Sequence, residues 1–222
     1  RYDDGPERVY AIGSEQHGVA SYYRNSIAHF FVDKALGELA LMRMAFRKLA
    51  GGEAFWSEAE RLRDFFKFEF FYAPREQSRA HIRAELERCC PGWEARIEVA
   101  GGAADVLDTL APLVAHRTLL PYVEAYRVVA DVLARTAHGA GLTERDCVQQ
   151  SLAYGRQAYL QRRITSEASI GKLLFSNGYR LMDNLGLVGP GDRALGEQRL
   201  ALAQEFRTLQ RRVERIRATA LP

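Results

Sequence analysis

The sequence has 222 residues, of which 47% are hydrophobic and 27% are charged, with a formal net charge of +3. This composition is typical of a folded domain and excludes a disordered chain, and so small a charge does not by itself indicate nucleic-acid binding. No apolar run approaches the roughly 18–20 residues that a membrane-spanning helix needs.

Two further global features concern the cysteines and the first residue. Cys89, Cys90 and Cys147 form an odd set, which predicts reduced thiols in a cytosolic setting rather than a disulfide framework. No Cys/His spacing resembles a zinc site, so we expect no metal. The chain begins with Arg1 and shows no signal peptide, which we interpret as a fragment or a processed product.

The first quarter of the chain predicts a lead-in segment followed by two helices. Residues 1–13 are polar and contain Gly and Pro. Apolar residues then recur at helical spacing over 14–32, and a second helix is predicted over 34–49. The pair Gly51-Gly52 is expected to end that second helix.

The next segment is ambiguous between helix and strand. A third helix is predicted to begin near Ser57, but its end, FKFEFFYA, alternates in the manner of a strand. A fourth helix over 76–89 follows, and Trp93–Val99 then offers a partner strand. A small two-stranded β pair of 68–72 with 93–99 is therefore an alternative within an otherwise helical chain.

The second half predicts further helices, and one of them has a clear start signal. Thr143 is a strong N-cap, and Asp146 three residues later gives the acidic arrangement of a capping box. The predicted helices cover residues 104–115, 121–137, 143–160 and 169–185.

The last helix, over 193–220, has the clearest pattern. Its apolar residues follow a heptad seam, and its flanks are rich in arginine. The seam consists of Leu195, Leu202, Phe206, Leu209, Val213 and Ile216. We therefore predict a mainly α, multi-helix, bundle-like domain over 14–190, and an amphipathic, arginine-rich terminal helix over 191–222.

A search for catalytic motifs in the sequence is negative. The sequence has no nucleophile elbow, no phosphate-binding glycine loop and no zinc-protease motif, so we predict no catalytic residue and no cofactor. None of the five histidines has an Asp five residues later. His29 and Asp33 are four residues apart, which on a helix favours an ion pair or a cap over catalysis.

A polar stripe precedes the second helix and is unusual. Helical spacing places Tyr22, Asn25 and His29 on one stripe beside Tyr23 and Arg24. Polar groups next to aromatic residues need partners. The stripe is therefore predicted either to dock this segment on another helix or domain, which we favour, or to place Arg24 against an anionic ligand.

These residues carry a resemblance to a known family. The segment YYRNSIAHFFVDKAL resembles the start of the C-terminal domain of bacterial and mitochondrial glycerol-3-phosphate acyltransferases. The later segments FKFEFFYAPREQSRAHIRAEL, LLPYVEAYRVVADVL and 142–188 are similar to the family's following helices in the same order. The similarity covers roughly residues 14–188, and only its first segment is specific.

The resemblance implies a function for a larger enzyme rather than for this chain alone. Such an enzyme transfers an acyl group from acyl-CoA or acyl carrier protein to the 1-hydroxyl of glycerol 3-phosphate, at the cytoplasmic face of the membrane. Its catalytic base belongs to a His-x-x-x-x-Asp motif in an N-terminal domain. That domain is the implied partner, and the isolated chain is expected to be inactive.

The sequence also predicts a candidate binding surface on the terminal helix and leaves two alternative functions open. Arg207, Arg211, Arg212 and Arg215 could form a surface for anionic lipid or a partner, although solvated charge is the default interpretation. A DNA-binding regulator would need a basic recognition helix, which residues 14–50 lack. A free-standing interaction module would use the heptad seam, although a seam of this kind also suits a helix packed on its own domain.

Overall fold

Ten α-helices and one short 3-10 helix build residues 27–137 and 139–220, the part of the chain that the computed structural model describes. The first half contains α1 Val32–Arg47, α2 Gly52–Phe65, α3 Arg75–Cys89, α4 Trp93–Ile97 and α5 Gly102–Thr109. The second half contains α6 Ala115–Thr118, α7 Leu120–Leu133, α8 Glu144–Leu160, the 3-10 helix Glu167–Ser169, α9 Lys172–Asn184 and α10 Arg193–Ala220. These residues contain no strand, so the predicted mainly α fold is confirmed.

Two helices that are buried on nearly every side organise the core. Helix α7 is covered by α8, α9 and α10, and α1 is covered by α2, α3, α5 and α6. Both helices carry apolar residues around their circumference, which is the pattern of a helix inside a protein. Helix α10 also contacts α1 and so joins the two groups.

The alternative of a β pair over 68–72 and 93–99 is wrong. Residues 93–97 form the short helix α4, in which Trp93 is fully buried and its ring lies 4.7 Å from that of Phe55. The aromatic run forms turns instead, in which the N–H of Glu69 donates to the carbonyl of Phe66 at 2.9 Å. The aromatic residues of FKFEFFYA therefore alternate because some of their rings pack into the core, and not because the segment is a strand with two faces.

The predicted helix boundaries also differ around the glycine pair. Helix α1 ends at Arg47, and Lys48 takes the left-handed conformation with φ of 53°. Gly51 has a φ of 98°, and Gly52 begins α2, where its N–H donates to the Glu98 carboxylate at 2.9 Å. The glycines therefore start a helix rather than end one, because the turn before α2 needs a positive φ.

Two other predictions about helices are confirmed. Thr143 caps α8, since its hydroxyl oxygen accepts the N–H of Asp146 at 3.2 Å. The heptad seam of α10 lies in the core: Phe206, Leu209, Val213 and Ile216 are fully buried. The seam therefore packs on its own domain and does not form a coiled coil.

Candidate functional site

Residues 27–31, which we call the 27–31 turn, are the first part of the chain that the structure describes. Residues 27–28 are helical and 29–31 form a turn, and the segment carries exposed apolar side chains. The N–H of Phe30 donates to the carbonyl of Ile27 at 3.1 Å, and the N–H of Phe31 donates to that of Ala28 at 3.0 Å. Ile27 is 51% exposed and Phe30 is 71% exposed. Contiguous exposed apolar surface marks an interaction site more often than a solvated one.

One side of this turn borders a cleft that we call the aromatic cleft. It has a volume of about 540 Å³ and is lined by His29, Phe30, Phe71, Tyr72 and His81, among others. The ring of His29 lies 3.9 Å from that of Phe30. Phe71, which belongs to the turns between α2 and α3, is fully exposed. The aromatic cleft thus joins the turn to the segment that sequence patterns left ambiguous.

The predicted pairing of His29 with Asp33 is wrong. The backbone turn separates the two residues, and Asp33 instead lies 3.9 Å from the imidazole of His81 on α3. Burial raises the pKa of Asp33, and His81 opposes that rise. The other members of the predicted stripe, Tyr22, Tyr23, Arg24 and Asn25, lie outside the described residues.

The other side of the turn borders a second cleft, which we call the basic cleft. Its volume is about 650 Å³. Its apolar lining comes from Ile27, Phe31, Val114, Leu120 and Pro121, and its polar lining comes from His116, Arg117, Ser166 and Arg217. Helix α6, the start of α7 and the end of α10 bring these residues together, although they are far apart in the sequence.

His116 is one of two buried polar residues that line the basic cleft, the other being Thr118. His116 is 8% exposed, and its Nε2 accepts a hydrogen bond from the Nε of Arg117 at 3.3 Å. Burial lowers the pKa of His116, and the nearby charges of Arg117 and Arg217 lower it further. The ring is therefore neutral at pH 7 with its proton on Nδ1, which has no partner among the described residues.

The four predicted surface arginines of α10 fall into two groups. Arg212 is buried and pairs with Glu58 at 2.5 Å, and Arg207 pairs with the buried Asp131 at 2.6 Å. Arg211 is exposed, and Arg215 is exposed over the ring of Phe46. Arg211 and Arg215 can therefore meet a membrane or a partner, whereas Arg212 stabilises the fold.

Buried carboxylates form a set of polar contacts that sequence patterns did not reveal. Glu124 accepts hydrogen bonds from the N–H groups of Thr165 and Ser166 at 2.6 and 3.0 Å, which anchors the loop before the 3-10 helix. Glu38 accepts the N–H of Ala115 at 2.7 Å and holds the start of α6. Burial raises the pKa of Glu38 to about 7. The sequence signal that could have revealed Glu38 and Glu124 was an acidic residue within an otherwise apolar helical run.

Arg117 was also missed, because a single exposed arginine carries no pattern, and Arg217 belonged to the arginine-rich flanks of the terminal helix but was not singled out. Within residues 27–137 and 139–220, no group of three or more His, Cys, Asp or Glu side chains is placed to hold a metal ion. In the same residues, no helix combines the length and the apolar character needed to cross a membrane.

Comparisons with known proteins identify the family of this chain. The family described as glycerol-3-phosphate acyltransferase C-terminal region matches residues 1–191. Proteins named "Putative acyltransferase plsB1" from Mycobacterium bovis and Mycobacterium tuberculosis are 36% identical over 223 residues, which covers 97% of this chain and 35% of each relative. The chain thus spans about a third of the length of these relatives. No solved structure shows a significant match. The chain belongs to the family of glycerol-3-phosphate acyltransferase C-terminal regions.

Proposed function

We propose that this chain is the helical C-terminal part of an enzyme that transfers an acyl group to the 1-hydroxyl of glycerol 3-phosphate in phospholipid synthesis. The acyl donor is a thioester of coenzyme A or of acyl carrier protein. The family membership supports the enzyme class. No histidine of the chain has an Asp five residues later, so the proposal places the catalytic His-x-x-x-x-Asp in an N-terminal domain.

The observation that carries the role of this chain is the aromatic cleft beside the 27–31 turn. Phe30 is 71% exposed and Phe71 is fully exposed. The family is described as a C-terminal region and the chain covers 35% of its relatives, so we place the catalytic domain in the remaining length of such a protein. The occupant that we propose for the aromatic cleft is therefore the N-terminal catalytic domain.

The contribution of Phe30 and Phe71 to such docking can be tested by replacing both rings with serine. Burying a Phe side chain contributes about 1.5–3 kcal/mol. In the intact protein, Phe30→Ser combined with Phe71→Ser should lower acyltransfer from glycerol 3-phosphate and make the junction more sensitive to protease. Leu160→Ser is the matched control, because Leu160 is 82% exposed at the end of α8, outside the aromatic cleft.

Two outcomes would contradict the docking proposal. In the first, the control variant loses as much activity as the double variant. In the second, the double variant destabilises the isolated chain of residues 1–222 as strongly as the intact protein, which would mean that the chain's own residues cover the aromatic cleft. The proposal predicts an unchanged melting temperature for that isolated chain.

Peripheral binding to the cytoplasmic face of the membrane is the second part of the proposal. Arg211 and Arg215 lie one turn apart on the exposed side of α10. Basic groups on such a stripe attract anionic lipid at about 1 kcal/mol each. The intact protein should pellet with vesicles that contain anionic lipid, and Arg211→Gln with Arg215→Gln should weaken this. Pelleting that does not depend on anionic lipid would contradict the proposal.

A DNA-binding regulator and a free-standing interaction module receive no support. The family and its relatives are acyltransferases, and the seam that an interaction module would use lies in the core. Partners expected of the whole enzyme are therefore its catalytic domain, acyl thioester and glycerol 3-phosphate, and nucleic acid is not among them.

A further inference from the structure

The basic cleft contains two cations that no carboxylate neutralises within the described residues. Arg117 donates only to the neutral ring of His116, and Arg217 has no hydrogen bond or ion pair there. Arg207 and Arg212, by contrast, each pair with a buried carboxylate. Both arginines are exposed to solvent at the cleft, and guanidinium groups match phosphate oxygens particularly well.

His116 gives an independent indication of a ligand. The side chain is more than nine-tenths buried and lines the basic cleft, yet its Nδ1 has no hydrogen-bond partner among the described residues. Buried polar atoms normally have a partner. Because the Nε2 of His116 accepts from Arg117, the Nδ1 carries the proton and can donate to an oxygen of a bound molecule after a small rotation of the ring.

Most of the remaining lining of the basic cleft is apolar. It comes from Ile27, Phe31, Val114, Leu120 and Pro121, with Thr118 and Ser166 as further polar residues. The volume of about 650 Å³ falls within the range of roughly 300–1,000 Å³ that is usual for small-molecule sites. Two cations in a cleft with a largely apolar lining suit a molecule with an anionic head and a hydrocarbon tail, and not a free inorganic anion alone.

We propose that the basic cleft binds a single-chain amphiphile with a phosphate monoester head. Arg117 and Arg217 hold the phosphate, and the acyl tail lies on Ile27, Phe31 and Leu120. This inference rests on the proposed function, because the product of acyl transfer to glycerol 3-phosphate belongs to this chemical class. The 27–31 turn also lines the cleft, which places the amphiphile next to the proposed interface with the catalytic domain.

A photoaffinity experiment on the intact protein tests this site. The probe is 1-acyl glycerol 3-phosphate with a diazirine in the acyl chain, used below its critical micelle concentration. Labelled peptides should contain residues 114–121 or 27–31. Arg117→Gln with Arg217→Gln should reduce this labelling at least tenfold. Arg156→Gln with Arg180→Gln is the matched control, because both arginines are exposed on α8 and α9 outside the cleft.

Competition experiments distinguish the head from the tail. Unlabelled 1-acyl glycerol 3-phosphate should displace the probe, and shortening its chain by two methylenes should weaken displacement about tenfold. Inorganic phosphate, the free fatty acid and the choline ester of the same lipid should each compete at least tenfold more weakly. Equal competition by inorganic phosphate or by the choline ester would overturn the assignment, as would equal loss of labelling in the control variant.

The inference and the proposed function fail in different ways. Acyl transfer to glycerol 3-phosphate with label found only outside 27–31 and 114–121 would overturn the site and leave the proposed function standing. Absence of glycerol-3-phosphate-dependent acyl transfer would overturn the proposed function, whatever the labelling shows. Circular dichroism of each variant confirms that loss of labelling is not loss of folding.

Discussion

The buried contact between Arg212 and Glu58 provides the sharpest test of how α10 is held. The Arg212 side chain is 7% exposed, Glu58 is fully buried, and the closest N–O distance is 2.5 Å. Burial opposes ionisation of Glu58, but Arg212 and Arg61 outweigh it and keep the pKa of Glu58 below its usual range. Replacing Arg212 by Met keeps the apolar stem and removes the charge.

The loss of unfolding free energy in Arg212→Met depends on which partners of Glu58 remain. Removing one partner of a buried ion pair costs about 3–5 kcal/mol. Arg61, at 2.8 Å, and Arg43 still donate to Glu58 in the variant, so we expect the low end, about 3 kcal/mol. For a chain of this size that corresponds to a fall in melting temperature of about 6–12 °C.

The assay is urea unfolding followed by circular dichroism, with Arg211→Met as the matched control. Arg211 is the exposed neighbour on the same helix, and its loss should change the free energy of unfolding by less than about 0.5 kcal/mol. The folded-state pKa of Glu58 is depressed, so the stabilisation from its ionised form is present above pH 4.5 and is lost as pH falls through the folded pKa. The deficit of Arg212→Met should therefore shrink in acid. Equal effects of the two variants at pH 7 would refute the structural role of Arg212.

Three further predictions concern a cap, a carboxyl and a glycine. Thr143→Ala should lower the free energy of unfolding by about 1 kcal/mol in urea titrations, because it removes the side-chain acceptor of the Asp146 N–H. Burial raises the pKa of Glu69 from 4.5 to about 7. The stability that its protonated form contributes is therefore complete below pH 4.5 and is lost as pH rises through 7. Glu69→Gln should flatten the pH dependence of the melting temperature between these two pH values. A Cβ at Gly178 would lie 3.1 Å from Val129 on α7, so Gly178→Val should cost about 1–3 kcal/mol through overpacking, whereas an unchanged melting temperature would mean that α9 is free to shift.

The helical architecture could be predicted because local sequence patterns indicate the helices of this chain. The 3.6-residue spacing of α10 and the Thr143 cap of α8 are readable within one or two turns of sequence. The strand alternative failed for the opposite reason. Phe66, Phe68 and Phe70 alternate in the sequence, but the rings of Phe66 and Phe70 contact Tyr126 and Tyr122 on the distant helix α7.

The clefts were beyond sequence reasoning because they are built from distant residues. Arg117 and Arg217 lie on different helices and meet only when α10 packs along α6 and α7. The distinction between Arg211 and Arg212 had a partial signal, since Arg212 adjoins the seam residue Val213. Its partner Glu58 on α2 could not be identified without the packing of α10 onto the first half of the chain.

Acyl transfer to glycerol 3-phosphate decides whether this chain is the non-catalytic part of such an enzyme. Labelled glycerol 3-phosphate and an acyl thioester are incubated with the intact protein and, separately, with residues 1–222 alone. The account predicts 1-acyl glycerol 3-phosphate from the intact protein and none from residues 1–222. Turnover by residues 1–222 alone, or an intact protein that folds but does not acylate glycerol 3-phosphate, would contradict it.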